Sequence, residues 1–250
     1  MILSAIAAKL KQRSKADFKG RHYEASLIVQ AVSRYLRSPL SDRDIEELFL
    51  ERGLEVDHST LNRWVLAYAP LIAKRLRQFR RPHCGSVRID ETDIKVRGEW
   101  RYLYRAIDKH GNPVDFLMTA NRDLDAAKRC FRKMLSAEPL LAPDRIGTDG
   151  AGPYPPAIAE SRKAGLLPQA PIHYVTKHLQ QGIESDHFRV KRSMLRVGGF
   201  RSFNTARRTI QGFEAMLWLR KGFGFVGAWT VREQNQLLAI CFGLPQANKG

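Results

Sequence analysis

The spacing of apolar residues changes near Ser86, and this change constrains the fold more than any other feature of the chain. Before it, apolar side chains recur every three or four residues, as on one face of a helix. After it, β-rich runs predict strands at residues 86–96, 102–108, 114–120, 145–148 and 172–175. Helical patterns over residues 124–136 and 156–164, and from about residue 178, separate or follow the later strands.

Three successive strands followed by helix–strand alternation predict a mixed sheet, because right-handed crossovers place helices on both of its faces. This order is similar to that of ribonuclease-H-like domains, so we expect an α/β fold of that kind. In such a sheet, Asp90 lies on the first, central strand and Asp149 follows the fourth strand, its neighbour. Glu184 belongs to the last helix and reaches the same edge.

The region before the sheet predicts an all-α domain of three short helices with a helix-turn-helix. Ser41 caps the second helix, with Asp44 in a capping-box position, and the third helix starts at Asp57 or Ser59 and stops near Pro70. A small helical bundle without DNA binding fits the same pattern. The predicted core residues of the third helix are Leu61, Trp64, Val65 and Tyr68, and the residues predicted to face a DNA groove are Ser59, Thr60, Asn62 and Arg63.

Basic residues outnumber acidic ones by 42 to 25, which gives a net charge of +17. Residues 1–82 carry a net +7, residues 83–149 a net +1 and residues 150–250 a net +9. Two basic flanks around a nearly neutral centre predict a polyanionic partner, double-stranded DNA, contacted on both sides of a site that keeps its carboxylates.

Asp90, Asp149 and Glu184 are the predicted catalytic and metal-binding residues. Carboxylate oxygens suit Mg²⁺, for which Mn²⁺ can substitute, and two such ions promote in-line displacement at phosphorus. Lys191 follows Glu184 by two helical turns and is predicted to contact DNA. Other carboxylates nearby compete for these roles: Glu91, Asp93, Asp108 and Asp186.

Several classes of protein are disfavoured. The three cysteines form no C-x-x-C pair, which argues against a disulfide framework or a cysteine zinc site. The apolar start is too short to span a membrane, and its basic residues follow it, which is the wrong order for an export signal. Glu184 and His187 form a single Glu-x-x-His pair, whereas a di-iron bundle needs two.

Three segments resemble the DDE transposases of bacterial insertion sequences, closest to the insertion-sequence-six family. They are RIDETDIKVRGEWRYLYRAIDKHGN, GTDGAGPYPPAIAE and HLQQGIESDHFRVKR, and GGFRSFNTARRTIQGFEAMLWLRKG follows them. The thirty-four residues between Asp149 and Glu184 are similar to the family's spacing, and Lys191 matches its basic residue after the glutamate. The likeness runs from about Phe18 to Gly222.

The resemblance implies a transposase that binds terminal inverted repeats, cleaves the 3′ strand at each end and joins it to target DNA, replicatively and through cointegrates. It carries Asp90, Asp149 and Glu184 over as the metal triad, and residues 57–68 as the end-recognition helix. Two departures concern substrate contacts. The family commonly has lysine where this chain has Gly150, and Asn-Asn where it has Gln180 and Gln181.

The expected organisation is a basic arm at residues 1–21, a helix-turn-helix domain at 22–82, a DDE catalytic domain at 83–222 and a tail at 223–250 whose role the sequence does not give. We expect a bacterial cytoplasmic protein, nucleoid-associated on DNA, that acts as a homodimer or larger assembly without a membrane. Two alternatives remain open: a helix-turn-helix regulator derived from an inactive transposase, and a structure-specific nuclease of the same fold.

Overall fold

The computed structural model describes residues 16–79, 85–137, 142–175, 181–196, 198–221 and 230–245, without the side chains at 181, 182, 186, 195 and 196. These residues divide into two compact units. The helical unit comprises Met1–Arg80 and Arg208–Gly250, and the sheet unit comprises Arg81–Arg207. The domain limits predicted at residues 22, 83 and 223 stay predictions.

Helices build the helical unit around an apolar centre that includes Ile28, Ile45 and Ile72, each fully buried. Leu238 of helix α8 (Val231–Cys241) and Phe242, which follows this helix, are also buried, and the Arg75 guanidinium lies 4.5 Å from the Phe242 ring centroid. Leu238 and Phe242 of the tail therefore belong to the core of this unit. The helices are α1 (Ala25–Arg37), α2 (Asp42–Leu50), α3 (His58–Leu76), a 3-10 turn (Arg77–Phe79), the part of α7 (Phe203–Arg220) from Arg208 onward, and α8 (Val231–Cys241).

Both predicted helix starts are confirmed. The Ser41 hydroxyl accepts from the Asp44 N–H, and the Asp44 carboxylate accepts from the Ser41 N–H, which completes a capping box at α2. The Asp57 carboxylate accepts from the Ser59 N–H at 3.1 Å and caps α3. Such caps satisfy N–H groups that the first helical turn leaves without a partner.

The predicted stop of the third helix near Pro70 is wrong, because α3 continues through it to Leu76. A proline cannot donate to the carbonyl four residues earlier, which here belongs to Leu66. Arg208 replaces that donor, since its Nε donates to the Leu66 oxygen at 2.7 Å. A side chain 142 residues away in sequence therefore satisfies the carbonyl that Pro70 leaves free.

The sheet unit contains the predicted mixed sheet, in the strand order β3-β2-β1-β4-β5. β1, β2 and β3 form an antiparallel meander, while β4 pairs parallel to β1 and β5 parallel to β4. This is the ribonuclease-H-like arrangement expected from the sequence. The strands are β1 (Ser86–Val96), β2 (Glu99–Asp108), β3 (Pro113–Thr119), β4 (Arg145–Thr148) and β5 (Ile172–Val175), and the helices are α4 (Leu124–Ala137), α5 (Tyr154–Lys163) and α6 (Gln181–Arg196).

Helices cover both faces of the sheet. Val87 and Ile89 of β1 point into a core shared with Phe131 of α4 and Tyr154 of α5. Because side chains alternate along a strand, Asp90 lies on the opposite face, and His187 of α6 approaches it there. Ile183, His187 and Val190 of α6 are buried.

The described helices include none that is both long enough and apolar enough to cross a membrane.

Candidate active site

The register of the central strands brings the first two predicted carboxylates to the same level. Arg88 of β1 pairs with Gly147 of β4 in parallel register, and two further residues along each strand lead to Asp90 and Asp149. Asp149 comes directly after β4 ends, and its Oδ1 accepts from the Ala151 N–H at 2.9 Å. Asp90 therefore lies on the central strand β1, and Asp149 lies directly after the end of the neighbouring strand β4.

Glu184 lies in the first turn of α6, and its charge contributes to the raised pKa of Asp90. Its side chain is exposed, and so is that of Lys191, which follows on the same side of the helix. α6 packs on β1, the strand that carries Asp90, and on β2, the next strand of the meander. A helix N-terminus favours a carboxylate, since its free N–H groups and dipole present positive charge.

The surroundings of the Asp90 carboxyl raise its pKa. Burial, then repulsion from Glu91, Asp149 and Glu184, raises its pKa from 3.8 to about 6, against the opposing effect of the Glu91 N–H. Its side chain is 17% exposed. Negative charge thus accumulates at a poorly solvated point, which is the electrostatic condition that favours a bound cation.

The three predicted carboxylates do not form a tight cluster of ligand atoms. Within the described part of the chain, only Glu46, Asp57 and His58 bring ligand atoms within 4.8 Å of one another. In that group, His58 Nδ1 lies 3.0 Å from an oxygen of Glu46 and 3.0 Å from one of Asp57, so the contact joins α2 to the cap of α3. Asp90, Asp149 and Glu184 do not meet the same limit.

His187 lies beside Asp90, with 3.8 Å between its Nδ1 and the Asp90 Oδ2. Burial, followed by the charges of Arg105 and Lys191, lowers the pKa of His187 to about 3. The imidazole is therefore neutral at physiological pH, and the contact is not an ion pair. The His187 side chain is buried.

The competing carboxylates have other environments. Asp108 accepts from the His110 and Asn112 N–H groups and so holds the β2–β3 turn. Asp93 is exposed further along β1. Glu91 points to the face opposite Asp90, where Tyr154 and Arg122 bind it. The side chain of Asp186 lies outside the described residues.

Gly150 explains one departure from the family pattern. Its φ of +86° is in the left-handed region, and a Cβ at this position would lie 2.7 Å from the Val175 Cγ1. A lysine here would therefore be strained by its backbone and would collide with β5. Gln180 lies outside the described residues, and of Gln181 only the backbone is described.

The predicted recognition residues lie in the first turns of α3. Ser59 and Arg63 are exposed, while Thr60 and Asn62 are half-buried. The Arg63 guanidinium donates to the Thr60 hydroxyl at 2.8 Å, which fixes its direction along the helix. Their role in DNA binding stays a prediction.

Sequence reasoning missed Arg122 and Tyr154, both of which contact Glu91. Arg122 precedes α4, and Tyr154 is the first residue of α5. The signal that could have found them is the polar side chain of Glu91 at a core-facing position of β1, because a buried carboxylate needs donors.

Comparison with known proteins identifies the family. A DDE-domain family model of IS240-type transposases matches residues 84–223. The chain is 36% identical over 204 residues to the transposase for the insertion-sequence-like element IS431mec of Staphylococcus aureus, covering 82% of this chain and 88% of that protein. The same identity and coverage hold for the S. aureus transposase for element IS257 in transposon Tn4003.

Among solved structures, similarity extends to a chain from the simian T-cell lymphotropic virus intasome in complex with PP2A regulatory subunit B56 gamma. The TM-score is 0.42 at 12% identity, over 61% of this chain and 52% of that one.

The matched region contains Asp90, Asp149 and Glu184 together with the whole described sheet. A DDE transposase is an enzyme that transfers DNA strands with a divalent metal, and an all-carboxylate donor set suits such an ion. The family model and the extent of identity with curated relatives show that this chain belongs to the DDE insertion-sequence transposases of the insertion-sequence-six type.

Proposed function

We propose that this transposase binds the terminal inverted repeats of its element, cleaves the 3′ strand at each end in the presence of Mg²⁺, and joins that end to target DNA. The observation that carries the proposal is the parallel register of β1 and β4, which brings Asp90 and Asp149 to neighbouring positions. Burial, together with repulsion from Glu91, Asp149 and Glu184, raises the pKa of Asp90, which agrees with this placement. The chain as a whole is basic, yet this site concentrates negative charge. Such a site suits a cation that the carboxylates and the DNA phosphates bind together.

Asp90, Asp149 and Glu184 would hold the metal. We propose that two ions bind there. The oxygen donors of the three residues fit Mg²⁺, and Mn²⁺ has similar preferences. When bound, such ions activate the attacking oxygen and stabilise the leaving one. His187 is neutral beside Asp90, so it keeps solvent away from that carboxylate without competing with a cation for it.

The reaction has two steps of the same type. Water first attacks the phosphodiester at the element end and releases a 3′-hydroxyl. That hydroxyl then attacks a phosphodiester in the target strand, which forms one P–O bond as another breaks. Because the nucleophiles are water and a DNA hydroxyl, no covalent intermediate with the protein forms. The protein supplies the charged metal ligands and holds the DNA in position.

Lys191 and α3 supply the proposed DNA contacts. Lys191 is exposed two turns beyond Glu184, where its ammonium can meet a phosphate next to the carboxylates. Ser59, Thr60, Asn62 and Arg63 form the proposed reading surface for the repeat. Base contacts there would give sequence preference, while phosphate contacts elsewhere would give affinity without it.

Three further properties belong to the proposal. Joining is replicative and forms cointegrates, as the family resemblance implies. The protein works on DNA in the bacterial cytoplasm and associates with the nucleoid when bound. Pairing of two element ends requires at least two copies of the chain, so we propose a homodimer or a larger assembly on DNA.

A strand-transfer assay tests this proposal. The full chain is incubated with a labelled duplex carrying the element's inverted repeat and with a supercoiled target plasmid. We expect joined products with Mg²⁺ or Mn²⁺ and none with EDTA. Sequence-specific binding without cleavage in either metal would contradict the proposal and favour the regulator, and cleavage of branched junctions regardless of sequence would favour the nuclease.

A further inference from the structure

Glu91 is a buried carboxylate directly beside Asp90 in sequence, but it lies on the other face of β1. Its side chain is 3% exposed. One of its oxygens pairs with the Arg122 guanidinium, and the other accepts from the Tyr154 hydroxyl. Both oxygens are therefore engaged by donors from separate elements, which is the condition under which a buried charge is tolerated.

The same two donors border the loop that carries Asp149. Tyr154 begins α5 at the end of that loop, and its ring is buried in the core of the sheet unit. At the beginning of the loop, the Asp149 Oδ2 lies 3.8 Å from the Arg122 guanidinium that also pairs with Glu91. The six residues from Asp149 to Tyr154 are thus linked to Glu91 at both ends.

Arg122 is itself held in place. It stands before Asp123, whose carboxylate accepts from the Ala126 N–H at 2.8 Å and so caps α4. Within the preceding turn, the Thr119 hydroxyl donates to the Asn121 carbonyl at 2.7 Å. The guanidinium therefore extends from a fixed turn rather than from a free loop.

We infer that Glu91, Arg122 and Tyr154 are positioning residues that hold Asp149 at the correct place relative to Asp90 for metal binding. The inference rests on the proposed function, in which both aspartates bind the metal. The cluster connects the central strand, the α4 turn and the α5 start, so that the second carboxylate is fixed before the ion arrives. Partners that orient metal ligands in this way typically change metal affinity by about 10- to 100-fold when removed.

The test compares Arg122→Gln with Arg132→Gln, an exposed arginine on α4, in the full chain. Two readouts follow metal binding: the Mg²⁺ concentration that gives half-maximal cleavage, and Mn²⁺ binding to the DNA-free protein measured from the free-ion EPR signal. For Arg122→Gln we expect both to weaken by about tenfold, with most of the maximal rate recovered at high metal. Arg132→Gln stays at the wild-type values.

Two more variants keep the test decisive if Arg122→Gln folds poorly. Arg122→Lys retains the charge without the planar fork, so we expect an intermediate metal affinity. Tyr154→Phe removes a single hydroxyl from a buried ring, and we expect a smaller but measurable loss of metal affinity. Thermal unfolding of each variant separates this effect from a general loss of stability.

Unchanged metal affinity in folded Arg122→Gln and Tyr154→Phe would overturn the inference and leave the cluster as a neutralised core carboxylate. Tighter metal binding in Arg122→Gln would also overturn it, because the guanidinium would then compete with the ion. Either result leaves the proposed function standing if the wild type cleaves DNA with metal. Wild-type protein that neither binds Mn²⁺ nor cleaves DNA contradicts the proposed function itself and the inference with it.

Discussion

The Nε of Arg208 donates to the carbonyl oxygen of Leu66 at 2.7 Å, four residues before Pro70, and α3 continues across that proline to Leu76. A hydrogen bond from a charged donor contributes about 1.5–3 kcal/mol. We therefore expect Arg208→Ala to lower the free energy of unfolding by about 2 kcal/mol, measured by urea denaturation. The exposed neighbour Arg207 provides the control, and Arg207→Ala should change stability little.

Pro70→Ala tests the same relationship from the other side. It restores a backbone N–H that can donate to Leu66, so Arg208→Ala should lose less stability in the Pro70→Ala background than in the wild type. An equal loss in both backgrounds would show that Arg208 stabilises the helical unit through other contacts.

The raised pKa of Asp90 predicts how stability depends on pH when divalent metal is removed. The folded protein holds this proton up to about pH 6, whereas the unfolded chain releases it near 3.8. The resulting stability is complete below about pH 4 and is lost as pH rises through 6. In EDTA at pH 7.5, Asp90→Asn should thus be more stable than the wild type by about 1–3 kcal/mol.

At pH 4 that advantage of Asp90→Asn should disappear, and Mg²⁺ should raise the melting temperature of the wild type but not of the variant. Asp93→Asn, at an exposed carboxylate on the same strand, is the matched control. A difference between Asp90→Asn and wild type that is the same at both pH values would contradict the assignment of this pKa.

Gly150 is predicted to be essential to the loop that carries Asp149. In Gly150→Ala the side chain would occupy a left-handed backbone and meet Val175, so we expect a loss of about 1–2 kcal/mol from the backbone alone and a further loss from the contact. Gly152→Ala is the control, because nothing lies within 4 Å of its Cβ position.

Activity should follow the same order, with Gly150→Ala well below Gly152→Ala in strand transfer. Gly150→Lys restores the residue common in the family, but here it should be no better than alanine. A Gly150→Lys variant with activity above wild type would mean that the loop adapts freely.

Lys191→Ala should reduce strand transfer by about tenfold or more while leaving Mn²⁺ affinity nearly unchanged, as expected for loss of a charged hydrogen bond to phosphate. Lys191→Arg should retain part of the activity. Arg189 and Arg192 are exposed on other sides of α6 and serve as controls in parallel alanine variants. Equal, small effects at all three positions would reduce Lys191 to part of a diffuse basic surface.

Local sequence patterns were sufficient to predict most strands and helices of the sheet unit. The predicted limits of β1, β4 and β5 agree with the structure, because alternation and flanking turn residues mark short strands within a few residues. The capping box at Ser41 was equally visible, since its two partners are three residues apart. The placement of Asp90 on the central strand followed from the order of the elements alone.

Contacts between distant residues could not be predicted. From the local sequence, Pro70 predicts the end of a helix. The helix continues because Arg208 donates to the Leu66 carbonyl that the proline cannot serve. In the same way, nothing near Glu91 in sequence reveals Arg122 and Tyr154, which are 31 and 63 residues away. At Pro70, a side chain distant in sequence allows the helix to continue where the local pattern predicts its end. At Glu91, two distant side chains supply the donors that a buried carboxylate needs.

The most direct test of the account is strand transfer by the three single variants Asp90→Asn, Asp149→Asn and Glu184→Gln, with Asp93→Asn as the control. Each of the three substitutions removes one charge with little change in side-chain size. In Mg²⁺ we predict wild-type rates for Asp93→Asn and no detectable cleavage or joining for the other three, all of which still bind the element end in a gel-shift assay. Wild-type strand transfer by any one of Asp90→Asn, Asp149→Asn or Glu184→Gln would contradict the assignment of these carboxylates as the metal-binding triad.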